Sequence, residues 1–277
     1  MNRNYRKIFH LALAGAIFTF LLHPVHSRAQ EGADANQLLQ AVLEKSKKGE
    51  ESKTRLTCKI HAHQTNFNEK GKKTADFTQL SELIYLSDLP YIRRLEFNEK
   101  PLSGKALAEE NQRYEAAVAE HKGLSENQRA ERAGGKSRDV TIRLGKLLTV
   151  YDNRIRSHEA IGGHNCLVID STPRPAAADA PKRHVVLWID PNTLEMIKLA
   201  FDLTADEDDL LKGSSGWILM ETIHGVSVDT ASHIDYLLPI RNRKKDVYRV
   251  VTDSTMTGFR LFATTVRIDV PDESAKQ

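Results

Sequence analysis

Cysteine is scarce in this chain of 277 residues, which contains only Cys58 and Cys166. No CxxC pair exists, which removes a thioredoxin-like redox role. No cysteine directly succeeds the apolar N-terminal run, so lipid attachment at a lipoprotein cysteine is excluded. An excess of charge is missing too. The chain carries 40 basic and 37 acidic residues, but four bases, Arg3, Arg6, Lys7 and Arg28, lie before residue 30. Without that segment the balance is 36 to 37, a net of −1, and the electrostatic case for nucleic acid disappears. Also missing are an internal repeat, a phosphate-cradling glycine loop and a GxSxG elbow; Gly213–Trp217 reads GSSGW, a loop. No cofactor is implied.

The N-terminus has a targeting pattern. Arg3, Arg6 and Lys7 precede the apolar run Ile8–Leu22, and Ser27-Arg28-Ala29 ends in small residues. We read 1–29 as a signal peptide, its apolar run too short to span a bilayer comfortably, and the remainder as an exported, periplasmic protein. In that oxidising setting Cys58 and Cys166, both in strand-like runs, form one disulfide or remain two buried thiols.

After the signal comes a helix with Asp34 as N-cap, a stripe of Leu38, Leu39, Val42 and Leu43, and a stop at Gly49. Most of the chain beyond residue 55 alternates with period two, giving about eleven strands joined by hairpins and hence a curled antiparallel sheet. Turns fall near Ser87–Pro90, Asn98–Pro101, Gly162-Gly163, Asp190–Thr193, Gly225 and the basic run Arg241–Lys245. The last strand is read as FRLFATTVRIDV. Two segments break the pattern. Ser103–Gly135 is rich in Ala, Glu, Lys, Arg and Gln, with a thin stripe of Leu107, Tyr114 and Val118, and reads as a solvated helical excursion. RDVTIRLGKLLTVY carries Val140, Leu144, Leu147, Leu148 and Tyr151 at helical spacing, while Val140, Ile142 and Leu144 would also fit a strand; read as a helix, it is the best candidate to lie on the sheet.

The hairpin HVVLWIDPNTLEMIKLAFDL, residues 184–203, lacks a wet side. Val185, Leu187 and Ile189 alternate with Val186 and Trp188; Ile197, Leu199 and Phe201 alternate with Leu194 and Met196. An exposed hairpin is apolar on one face only, so something must cover the second. A helix about 10–12 Å across shields two or three strands spaced about 4.8 Å apart, which leaves room for a cleft. Leu147, Leu148, Trp188, Phe201 and Trp217 are the candidate ligand-lining residues.

Other polar clusters have plainer readings. His61 and His63 point the same way from one strand, with His158 and His164 on others, but they share their face with Thr57 and Lys59, and no further ligand completes a zinc set. No metal site is expected. Asp206, Glu207, Asp208 and Asp209 lack the EF-hand pattern and read as the acidic start of a helical turn. Arg241–Lys245 is either a solvated hairpin tip that deters edge pairing or a contact for anionic head groups at a membrane surface.

The order of a signal peptide, an amphipathic helix, antiparallel hairpins, a helical interruption, IGGHNCLVID, LWIDPNTLEMIKL and YRVVTDSTMTGFRLFATTVRI resembles the LolA-like superfamily of periplasmic lipoprotein carriers and envelope sensor domains. The resemblance covers roughly Ala35–Val270 and departs from the carriers in its charged segment. It implies one mainly β domain over 30–277 with a helical insertion at about 103–136, and a half-open barrel with helices packed on its concave face. The implied function is non-enzymatic: an apolar cleft holding a lipid or acylated protein. The alternative is an envelope interaction or sensor module with a packed core, its charged segment forming the partner surface.

Overall fold

The computed structural model describes residues 28–50, 56–86, 89–129, 132, 144–175, 182–207, 209–240 and 243–262. The predicted signal segment up to residue 27 lies outside them. Helix α1 runs Arg28–Glu50. Asp34 is therefore an exposed residue inside the helix and not its cap. Strands β1 (Leu56–Phe67), β2 (Lys73–Leu86), β3 (Leu89–Phe97) and β4 (Lys100–Pro101) come next, then helix α2 (Gly104–Gly123). A short helix over 144–150 leads into β5 (Tyr151–Ile161), so Tyr151 opens a strand instead of ending the helical stripe, and Val140 and Ile142 lie outside the described residues. The chain continues with β6 (His164–Pro173), β7 (Arg183–Asp190), β8 (Glu195–Leu203), β9 (Ser215–Ile223), β10 (Val226–Ile240) and β11 (Arg243–Leu261).

All eleven strands form one antiparallel sheet in the order β4-β3-β2-β1-β11-β10-β9-β8-β7-β6-β5. Because β4 and β5 are not paired with each other, the barrel stays open, as the resemblance implied. The strand count agrees with expectation but its contents differ. Of the expected last strand FRLFATTVRIDV, the first three residues belong to β11, which also holds the strand expected before it, and residues 263–270 lie outside the described ones; β4 is an additional short strand. Between Thr57 and Lys59 of β1, β11 holds one extra residue, and Gly258 at φ 64 supplies the left-handed backbone of the bulge. The strand continues through that glycine instead of ending.

A second bulge rearranges the 184–203 hairpin. Trp188 pairs with Lys198 and Ile189 with Met196, so Ile197 is an inserted residue. It therefore leaves the face of Leu199 and Phe201, and Leu194 and Met196 join that face instead. The turn itself is tightened by Asp190, whose Oδ1 accepts the Asn192 N–H at 2.9 Å, with Leu194 at φ 56.

The two helices dock differently. From α1, Ala35, Leu39, Val42 and Leu43 are buried with Leu144 and Leu147 of the short helix against Ile169, Val185, Leu187 and Ile189. Helix α2 leaves Leu107 exposed and buries a glutamate, Glu110. Its carboxylate accepts from Arg94 Nε at 2.9 Å, Arg113 Nη2 at 2.7 Å and Tyr91 Oη at 3.1 Å. Burial alone would raise the pKa of Glu110; the arginine hydrogen bonds win and hold it at about 2.

The two cysteines are free and buried. The bond left open on the sequence is not formed, because β1 and β6 stand six places apart in the sheet. Residues 205–210 also differ from expectation. Among the described residues there no helical turn forms; Glu207 and Leu210 make an isolated bridge, and Glu207 is drawn to Arg183.

Candidate functional site

Register carries the apolar face across the sheet. Paired residues share a face, so Ile169, Leu187, Leu199 and Ile218 form one cross-strand row over β6 to β9. The same row continues as Ser232, Ser254, Ala62 and Gln79 to Phe97. A neighbouring row passes from Val185 and Phe201 through Gly216 to Ile234, then Thr252, Gln64 and Phe77. Gly216 is required there, since a Cβ would approach the His233 carbonyl oxygen at 2.7 Å and the Phe201 ring at 3.1 Å.

Under the helices this face is filled. Leu39, Ile169, Leu187 and Ile189 are all 0% exposed, so side chains and not a hollow occupy the space between helix and sheet. Between β9 and β1 the core cluster under α1 does not extend over the continuing rows, and Ile218, Ile234, Tyr236, Val250 and Met256 are only half-buried. Ile92 and Phe97 at the β3 end are exposed, and Phe97 stacks on Phe77 at 5.3 Å.

The five candidate lining residues do not share one space. Leu147 belongs to the core under the helices, and Leu148 and Phe201 pack against it. Trp188 and Trp217 lie on the opposite face. The register pairs Trp217 with Ala200 and Gly216 with Phe201, so Trp217 and Phe201 point to opposite sides. One cleft lined by all five is thereby excluded.

That opposite face is covered neither by a described helix nor by a separate element, but by its own polar side chains. Cys166, Val168, Val186, Trp188 and Ile197 are buried there. The Trp188 indole N–H donates to Glu159 at 2.8 Å, and Lys198 Nζ stands 4.6 Å from the Trp188 ring centroid and 5.8 Å from that of Trp217. Beside them His184 bridges two carboxylates, Nε2 to Asp170 and Nδ1 to Asp202 at 3.0 Å. Both ring nitrogens can donate at once only in the imidazolium form. Burial opposes that charge, but the two aspartates outweigh it and raise the His184 pKa. Burial would raise Asp170 as well; His184 reverses the sign and lowers it. The wet side absent from the hairpin sequence is thus supplied by long or charged neighbours folded over the apolar patch.

Sequence reasoning missed both polar clusters that hold elements in place, Glu110 and the His184 bridge. The available signals were Arg93-Arg94 inside a strand and Arg113 three residues after Glu110. His61 and His63 do share a face, with His63 Nε2 2.6 Å from Asp76. Among the described residues no group of three metal-ligating side chains assembles. His164 pairs with Asp190 at 2.9 Å, and His158 is exposed. The side chains of Arg241–Lys245 lie outside the described ones. Among the described residues no helix is long and apolar enough to cross a membrane.

No family model and no curated relative matches the sequence. Solved structures similar to this chain include a LolA superfamily protein from Nitrosomonas europaea, 10% identical, with 82% of this chain and 94% of that one covered and a TM-score of 0.30. An outer membrane lipoprotein-sorting protein domain from Vibrio parahaemolyticus is 9% identical over 85% of this chain and 95% of its own, with a TM-score of 0.34. The complex of MucA and MucB from Pseudomonas aeruginosa contains a chain 12% identical, covering 83% of this one and 99% of its own, with a TM-score of 0.24. The resemblance seen in the sequence has counterparts among solved structures, at identities and scores that transfer no ligand and no residue role.

Proposed function

We propose that this is a non-enzymatic binding protein of the cell envelope, holding an acyl chain, free or protein-linked, against the part of the sheet that its helices leave bare. The observation supporting this reading is the continuation of the core rows past the helices, from Leu199 to Ile218 and from Phe201 to Ile234. An acyl chain laid along those rows gains about 0.8 kcal/mol for each methylene removed from water. The ligand site therefore lies beyond the helix-packed end, and Leu147 and Leu148 serve the core. Purified from its native compartment, the protein is expected to release lipid on organic extraction and to bind a fluorescent fatty acid. Ile234→Asp should abolish that binding while Leu148→Met leaves it unchanged. A lipid-free extract together with no fluorescent binding overturns the proposal.

A second reading, an envelope interaction or sensor module, is favoured by the filled core beneath α1. Its partner surface would be α2 and the charged segment around it. Crosslinking in cell envelopes discriminates between the two: deletion of 103–136 with retention of the fold would remove the partner under this reading and leave lipid binding intact under the first.

A further inference from the structure

The two rows that leave the helix-packed core change character part-way across the sheet. One passes from Ile218 through Ser232, Ser254 and Ala62 to Gln79, the other from Ile234 through Thr252 and Gln64 to Phe77. Ser232 and Ser254 are direct cross-strand partners, and so are Thr252 and Gln64. Partner Cβ atoms stand about 5 Å apart, so these four side chains cluster locally on β10, β11 and β1. All four are half-buried and none is charged. The same strands with β2 put Asp235, Arg249, Asp253, His233, His63 and Asp76 on the opposite face. There they pair off, Arg249 with Asp235 at 2.6 Å, His233 with Asp253 at 2.7 Å and His63 with Asp76 at 2.6 Å.

The contrast between the faces reflects different surroundings. A face washed by water carries charge at such positions, as the opposite one does; a sealed face carries apolar side chains, as the rows do under α1. Small uncharged polar residues beside Ile218 and Ile234 match neither. They match contact with a group that is polar without being ionised. The hydroxyls of Ser232, Thr252 and Ser254 make no hydrogen bond among the described residues. The charged residues bordering the cluster on this face offer an anion no counter-ion. Asp229, in register with Met220, is itself a carboxylate, and Arg94 is taken by Glu110 at 2.9 Å. An ionised carboxylate laid here would surrender its hydration without compensation, whereas a neutral carbonyl exchanges one set of hydrogen bonds for another.

We infer that this face selects its acyl ligand by charge: the chain lies over Ile218 and Ile234, and its polar end, an uncharged ester or amide, lies on Ser232, Thr252, Ser254 and Gln64. The inference rests on the acyl-binding reading and narrows its ligand to chains whose carboxyl is covalently capped. The three hydroxyls donate to the ester or amide carbonyl, and no side chain in the cluster neutralises a free carboxylate or a phosphate.

The test is calorimetric titration of the mature chain with dodecanamide, 1-monododecanoylglycerol and dodecanoate, equal in chain length and each kept below its micellar concentration. Dodecanamide differs from dodecanoate by little more than charge. At mildly alkaline pH it and the glyceride should bind about tenfold or more tightly than dodecanoate. Affinity for dodecanoate should climb as pH is lowered, since only the protonated acid is uncharged, while that for dodecanamide stays level. Ser254→Lys supplies the missing counter-ion and should reverse the order, with a cooperative thermal melt confirming its fold. Ser232→Lys is a second, independent variant with the same expected reversal. If the unsubstituted protein binds dodecanoate as tightly as dodecanamide, or the order survives in both folded lysine variants, the inference is overturned and the acyl-binding reading stands. If none of the three ligands binds, that reading falls and takes the inference with it.

Discussion

Helix α1 and helix α2 are both fastened to the same sheet, at opposite ends of the strand order and by opposite chemistry. Helix α1 inserts Ala35, Leu39, Val42 and Leu43 into a dry core shared with β6 and β7. Helix α2 lowers one carboxylate, 1% exposed, between Arg94 and Arg113, whose side chains are 40% and 46% exposed. Rings supplement that anchor: Tyr114 meets Tyr91 edge-on at 5.7 Å, and Arg93 lies 4.9 Å over the Tyr114 ring. An apolar attachment is indifferent to pH and strongly coupled to the core. An ionic attachment is local and can be switched by protons. The comparison predicts that the two ends of the sheet fail separately.

The largest effect is expected at the apolar anchor. Leu39→Ala should cost about 2–5 kcal/mol of global stability in urea denaturation, because a fully buried leucine leaves a cavity among packed neighbours. Glu110→Ala should cost less, about 1–3 kcal/mol, since the half-exposed arginines it abandons regain water. Its effect should also be confined to α2 and β3, readable as protease cleavage within Ser103–Gly123 while α1 stays protected. A Glu110 variant that unfolds the whole sheet would erase the distinction between the two anchors.

Acid sharpens the same contrast without mutation. The pKa of Glu110 falls from an ordinary 4.5 to about 2 on folding. A depressed carboxylate stabilises the fold above its unfolded pKa and loses that contribution as pH falls from about 4.5 to about 2. At pH 3 pepsin should therefore cut within α2 before α1, and Glu110→Gln should remove the pH dependence of that cleavage. His184 supplies the opposite slope at the other end. Its pKa is raised, so its contribution is complete below about 6.5 and is lost as pH rises through the folded value. Replacement by Gln should flatten the alkaline side of the stability profile and leave the acid response of α2 untouched.

Much of the architecture is legible in the chain because period-two alternation and turn residues are local properties. The β5–β6 and β9–β10 turns sit at Gly162-Gly163 and His224-Gly225, all with positive φ. What is not legible depends on register. Alternation shows that Trp188 and Leu187 oppose each other, but whether Trp217 joins Trp188 or Phe201 is set by how the 204–214 connection docks, through Ser214 and the Leu237 backbone. A bulge has the same consequence. One inserted residue, Ile197, exchanges the faces of Leu194 and Met196 relative to Leu199, and no residue type announces it. A single hollow lined by five large apolar residues requires all five on one side, and the sheet divides them three and two. Glu110 is hidden for a different reason: a helix rich in charge is ordinarily solvated all round, and only the tertiary position of Arg94 makes one of its glutamates an interior residue.

The apolar anchor has one polar flaw, and the smallest predicted effect concerns it. Asn153 and Ser171 face each other across β5 and β6 beneath the helices, both essentially buried. The Asn153 amide donates to Asn36 Oδ1 at 2.9 Å and to the Leu147 carbonyl at 2.7 Å, tying the short helix and α1 to the sheet. Its own Oδ1 and the Ser171 hydroxyl have no partner among the described residues. A buried hydroxyl without a hydrogen bond is a cost, so Ser171→Ala should raise stability by up to about 1 kcal/mol, whereas Asn153→Ala should lower it by cutting two bonds. Thermal melts of the two variants distinguish the roles of adjacent polar residues in one core. If Ser171→Ala instead destabilises, the serine hydroxyl is engaged by a bound water that also reaches Asn153 Oδ1, and the dry character assigned to the α1 end does not hold at this pair.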